Sequence, residues 1–124
     1  MATVLLVDDS RTILMSLSAV LTKSGYTVET APDGTDALAK VTAGLRPAVI
    51  LTDLNMPKMD GITFIREVRK VSGVRFTPIL MLTTESQQTK RAEAKAAGAS
   101  GWIVKPVQPK DLLAVLAQVL PRAA

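Results

Sequence analysis

The chain of 124 residues predicts an α/β domain built around a parallel β-sheet. Continuous apolar runs at Val4–Val7, Ala48–Leu51, Ile79–Leu82 and Trp102–Val104 lack a polar face, the pattern of strands covered on both sides. Segments with helical spacing separate them. One strand and one helix together take about 25 residues, which leaves short loops and no linker, repeat or low-complexity stretch. Residues 1–124 therefore read as a single domain, of about the size at which one core suffices.

Each element has its own signal. After the first strand, Ser10 can cap a helix in which Ile13, Leu14, Leu17, Val20 and Leu21 share one face, and Gly25 can end it. The second strand, Tyr26–Thr30, is the most alternating of the five. Ala37, Leu38 and Val41 follow Asp33 and form the second helix; Ile62, Ile65, Val68 and Val71 follow Asp60-Gly61 and form the third. The fourth helix, about residues 86–97, has an apolar side made of Ala92, Ala94, Ala96 and Ala97. It buries less area than its leucine-rich neighbours, so it is the element expected to move. The fifth carries Leu112, Val115, Leu116, Val119 and Leu120 between Pro109 and Pro121.

Composition excludes much chemistry. With no cysteine and no histidine there is no disulfide framework, thiolate nucleophile, Cys/His zinc site or serine–histidine triad. No apolar stretch approaches the roughly 18 residues needed to span a bilayer, and no signal peptide is recognisable, so a cytoplasmic protein without membrane insertion is expected. A net charge of +4 raises the question of nucleic acid. The basic residues are dispersed, however, with the densest groups at Arg66, Arg69, Lys70, Arg75 and at Lys90, Arg91, Lys95. With four aromatic residues as stacking platforms, no direct nucleic-acid contact is expected.

Ligands of open parallel sheets bind beyond the carboxyl ends of the strands, where the strand order reverses. Strand one ends in Asp8 and Asp9, strand three in Asp53, strand four in Thr83 and Thr84, and strand five in Lys105 and Pro106. Any one of these residues fits a helix cap or a solvated end equally well. Three carboxylates at one edge, however, repel one another unless a cation joins them. An all-oxygen site without sulfur or imidazole suits Mg²⁺, or Mn²⁺ in its place. Such sites commonly keep a phosphate oxygen as ligand, and Lys105 and the Thr83 hydroxyl can serve the remaining phosphoryl oxygens. No Gly-x-x-x-x-Gly-Lys loop is present, so the acceptor of a phosphoryl group would be a carboxylate, with Asp53 central among the three.

Four segments, LLVDDSRTIL, ILTDLNMPKMDG, PILMLTTE and AGASGWIVKP, occur in an order and spacing that resemble the receiver domains of two-component response regulators. The likeness is greatest to the short single-domain chemotaxis receivers of the CheY type, and it covers about residues 3–120. It implies a flavodoxin-like (βα)5 doubly wound sheet in the order 2-1-3-4-5. It further implies that Asp53 takes a phosphoryl group from the phosphohistidine of a histidine kinase. Asp9, Asp53 and the backbone carbonyl of Asn55 would hold Mg²⁺, with Asp8 acting through water. Thr83 and Lys105 would grip the phosphoryl oxygens, and Lys105–Pro106 would be cis.

The resemblance also implies an output face made by the fourth helix, fifth strand and fifth helix, acting on a downstream protein such as a flagellar motor switch or another signalling protein. Trp102 stands where the family has a Tyr or Phe that turns inward behind the Thr. The larger indole needs a partner for its N–H, so it is expected either to stay outside or to switch less completely, and the bulk of Thr84 adds to this. Asn55 and Glu85, each two residues past Asp53 and Thr83, match members with fast aspartyl-phosphate hydrolysis.

Three other readings remain at this point. An aspartyl phosphohydrolase would need an acid two residues after the nucleophile, where Asn55 stands. An interaction module that no longer accepts phosphate would be expected to lack an acid, the Thr or the Lys, and all are present. An excised receiver of a DNA-binding regulator is weighed against a chain that stops a few residues after its last helix, which favours a stand-alone receiver.

Overall fold

The computed structural model describes residues 2–84 and 88–120. Five parallel strands, β1 (Thr3–Val7), β2 (Thr27–Ala31), β3 (Val49–Thr52), β4 (Ile79–Thr83) and β5 (Gly101–Val104), form one sheet in the order β2-β1-β3-β4-β5. Helices α1 (Arg11–Lys23), α2 (Gly34–Thr42), α3 (Gly61–Val68), α4 (Gln88–Ala97) and α5 (Pro109–Val119) connect and follow them. The order and parallel pairing match the flavodoxin-like arrangement that the sequence resemblance implied.

Period-2 alternation sorts each central strand into two cores. Leu5, Val7, Ile50, Ile79 and Met81 meet Ala37 and Val41 of α2, Ile62, Phe64, Ile65 and Val68 of α3, and Ala94 of α4. Val4, Leu6, Val49, Leu51, Leu80 and Leu82 meet Leu17 and Leu21 of α1 and Leu112 and Leu116 of α5. Both faces of β1, β3 and β4 are thus covered, which is why their sequences run apolar without interruption.

Local chemistry fixes the helix starts. The side chains of Ser10, Asp33 and Asp60 accept hydrogen bonds from the backbone N–H of Ile13, Asp36 and Thr63. Pro109 opens α5 at a position where its missing N–H costs nothing.

Two expectations are corrected. Strand β5 is not covered on both sides: it is an edge strand beside β4 alone, its residues are half-buried, and Val104 is 40% exposed. Helix α3 stops at Val68 with Arg69 as its C-cap, so Val71 lies in the following turn. The Arg69 guanidinium makes the early stop favourable by donating to the carbonyls of Val74, Arg75, Thr77 and Gly98. No described helix is long and apolar enough to cross a membrane.

Candidate functional site

The sheet order reverses between β1 and β3, and the acidic residues stand one step beyond their last paired residues, Val7 and Thr52. The ladder carries on through that step. The backbone N–H of Asp53 donates to Val7 O at 2.9 Å, that of Asp8 to Ala31 O at 3.1 Å, and that of Lys105 to Thr83 O at 2.8 Å. The backbones that carry the two acids and the lysine are therefore held by the sheet, while their side chains stand at its rim.

Asp8, 1% exposed, and Asp53, 8% exposed, share one cation. Lys105 Nζ lies 2.7 Å from Asp8 Oδ2 and 3.6 Å from Asp53 Oδ2, with its own side chain 12% exposed. The other oxygen of each acid accepts a backbone N–H at 2.8 Å, from Ser10 onto Asp8 and from Leu54 onto Asp53. Asp9 is exposed, and carboxylate oxygens of Asp8, Asp9 and Asp53 all lie within 4.8 Å of one another. Three carboxylates against one ammonium leave a formal charge of −2.

Burial and these charges together shape Asp53. Burial pushes its carboxyl above the ordinary value, nearby Lys105 pulls it down, Asp8 pushes it up, the Leu54 N–H pulls it down and Asp9 pushes it up, for a net rise.

The donor set fits a small hard dication. Ligand oxygens about 2.1 Å from Mg²⁺ lie no more than about 4.2 Å apart, so the three carboxylates need to close by less than about 1 Å. Asp8, Asp9 and Asp53 could hold the ion, and one divalent charge cancels the residual −2 of the cluster.

The remaining candidates divide. Thr83 ends β4 and is buried, Thr84 is exposed, and Asn55 is exposed in the loop between β3 and α3. Trp102 lies on β5, half-buried. Glu85 falls outside the described residues. The Lys105–Pro106 peptide is cis. Lys58, at φ 69°, reaches from the β3–α3 loop to Asp33 Oδ2 at 3.7 Å and links that loop to the start of α2.

One residue was read from sequence only as part of a helix start. A Cβ on Gly61 would collide with the Asp53 carbonyl oxygen and stand 3.0 Å from Leu54 Cα, so Gly61 lets α3 begin directly against the loop that carries Asp53. The usable signal was a glycine at the first position of a capped helix, where its low helix propensity needs a steric reason.

Comparison with known proteins bears on the fold and the family. A solved structure of the chemotaxis protein CheY4 of Vibrio cholerae superposes with a TM-score of 0.93 at 52% identity, covering 97% of this chain and 99% of that one. Chemotaxis protein CheY1 of Helicobacter pylori is 38% identical over 117 residues, 94% of each chain. A CpxR homolog of Haemophilus influenzae, described as a transcriptional regulatory protein, is 36% identical over 124 residues, and this chain spans about half (52%) of its length. Residues 4–117 match the response regulator receiver domain, and the chain belongs to that family.

Proposed function

We propose that the chain is a CheY-like response regulator whose Asp53 accepts a phosphoryl group from the phosphohistidine of a histidine kinase. The supporting observation is the pairing of Lys105 with Asp8 and Asp53 inside a three-carboxylate cluster that keeps a charge of −2. An Oδ of Asp53 attacks phosphorus in line, the bond from phosphorus to the donor imidazole nitrogen breaks, and that nitrogen keeps the electron pair and takes a proton. The protein's work in such a transfer is positioning and charge stabilisation. Asp9, Asp53 and the Asn55 carbonyl would hold Mg²⁺, with Asp8 acting through water, and the ion would supply charge neutralisation for the phosphoryl oxygens. Lys105 turns from Asp8 to a phosphoryl oxygen, and the Thr83 hydroxyl donates to another.

Movement of Thr83 toward the phosphoryl group opens space behind it, toward which the larger Trp102 turns less completely than the Tyr or Phe of the family, and the α4–β5–α5 face changes shape. The partner is a downstream protein, a flagellar motor switch or another signalling protein, and the site of action is the cytoplasm. By the sequence resemblance, Asn55 and Glu85 assist the water that attacks phosphorus and releases phosphate from Asp53. The names of the chemotaxis relatives CheY4 and CheY1 support the motility setting.

The test is intact mass after incubation with acetyl phosphate in Mg²⁺, Mn²⁺, Ca²⁺ or EDTA. One phosphoryl adduct is expected in Mg²⁺ and in Mn²⁺, and none in EDTA. Ca²⁺, which takes more ligands at longer distances, should give at least tenfold less adduct. An adduct that is indifferent to EDTA would overturn this reading.

A further inference from the structure

We infer that Arg91 is a positioning residue for the switch: stacked on Trp102, it holds the indole at the surface and opposes its inward turn. The guanidinium carbon of Arg91 lies 5.6 Å from the centroid of the Trp102 ring, within the range at which a cation is attracted to an aromatic face. A surface pocket of about 260 Å³ lies between α4 and β5, lined by Arg91, Ala94, Lys95 and Trp102 among others, beside the stacked pair.

Helix α4 buries little of its own side-chain surface. Ala94 is its one buried residue among those described. Its C-terminal end is tied through Gly98, whose carbonyl accepts from Arg69 Nη2 at 2.6 Å. The half nearer the phosphoacceptor end is joined to β5 by the Arg91–Trp102 stack. Lys90 reaches Glu93 at 3.8 Å, whereas among the described residues no carboxylate lies within ion-pair distance of Arg91. A planar, weakly hydrated guanidinium is the side chain best suited to such a stack.

The stack itself is read from geometry, and its coupling to phosphorylation rests on the function proposed above. If Trp102 must leave Arg91 to turn inward, the stack subtracts from the population of the inward state by about two- to fivefold, the size of an exposed cation–π contact. By linkage, removing it strengthens binding of a ligand that favours the inward state by up to the same factor.

Trp102 is the single tryptophan of the chain, so its emission reports directly. The experiment compares wild type, Arg91→Ala and Arg91→Lys, each alone and titrated with the phosphoryl mimic beryllofluoride in Mg²⁺. Alanine is the best helix former, so α4 is retained. Without beryllofluoride, Arg91→Ala is expected to raise acrylamide quenching of Trp102 about twofold by uncovering the ring face. In the titration, Arg91→Ala is expected to bind beryllofluoride about two- to fivefold more tightly, with Arg91→Lys staying within about twofold of wild type. Unchanged quenching and unchanged affinity in Arg91→Ala would overturn the inference, as would weaker binding. Failure of wild type to bind beryllofluoride would instead count against Asp53 as acceptor, and the quenching comparison would still decide the stack.

Discussion

Asp53→Asn is expected to abolish phosphoryl transfer and, in the same protein, to raise the stability of the fold at neutral pH in the absence of divalent cations. The two effects have one cause. Asp53 sits in a buried, acid-rich corner, and burial pushes its carboxyl upward despite the pull of Lys105. A carboxyl whose affinity for protons rises on folding contributes stability that is fully present below its unfolded value of 3.8 and is lost as pH climbs through the folded value. Asparagine has no such loss. The advantage of the variant in denaturant melts should therefore be near zero at about pH 3 and grow as pH rises above the unfolded value, reaching a plateau above the folded one. Saturating Mg²⁺ should reverse the order, because the wild type gains binding energy through a ligand the variant lacks. A variant less stable than wild type at neutral pH without metal would show that Asp53 is a structural acid.

Gly61→Ala is expected to destabilise the fold by about 2–3 kcal/mol, the cost of overpacking a site with little room to give. The Cβ meets backbone, the Asp53 carbonyl and Leu54 Cα at 3.0 Å, as well as Met81 Cε at 2.9 Å. Met81 can swing aside; the backbone cannot without moving the loop that carries Asp53. Gly61 N–H also donates to Leu54 O at 2.8 Å, so α3 and the loop would shift together. Protein that still folds should accept phosphate from a small donor at least about tenfold more slowly, since a displacement near 1 Å is costly to an oriented transfer. Denaturant melts and the time course of adduct formation measure the two effects. A stable variant with an unaltered rate would mean that the approach of α3 to Asp53 is incidental.

Much of the architecture was legible because it is local. Apolar runs marked β1, β3 and β4, and Ser10 and Pro109 marked the starts of α1 and α5. The strand order came from resemblance, because periodicity carries no information about which strands are neighbours. The edge character of β5 was hidden by a sequence, Trp-Ile-Val, that resembles a buried strand, and only its place beside β4 alone exposes it.

The site divides the same way. The positions of Asp8, Asp9, Asp53, Thr83 and Lys105 at strand ends follow from reading each strand to its end. That Lys105 bridges Asp8 and Asp53 could not be read, since Asp8 and Lys105 are 97 positions apart and the contact exists only once five strands are in order. Gly61 and Arg91 escaped for a related reason: each matters through what folding brings against it.

The most direct test of the acceptor is to trap it. Wild-type protein is loaded with acetyl phosphate in Mg²⁺, reduced with borohydride, which converts an aspartyl phosphate to homoserine, and mapped by peptide mass. Homoserine at position 53 alone, absent when acetyl phosphate or Mg²⁺ is omitted, is the predicted result. Reduction at Asp8 or Asp9, or loaded protein with position 53 unmodified, would contradict Asp53 as the residue that carries the phosphoryl group.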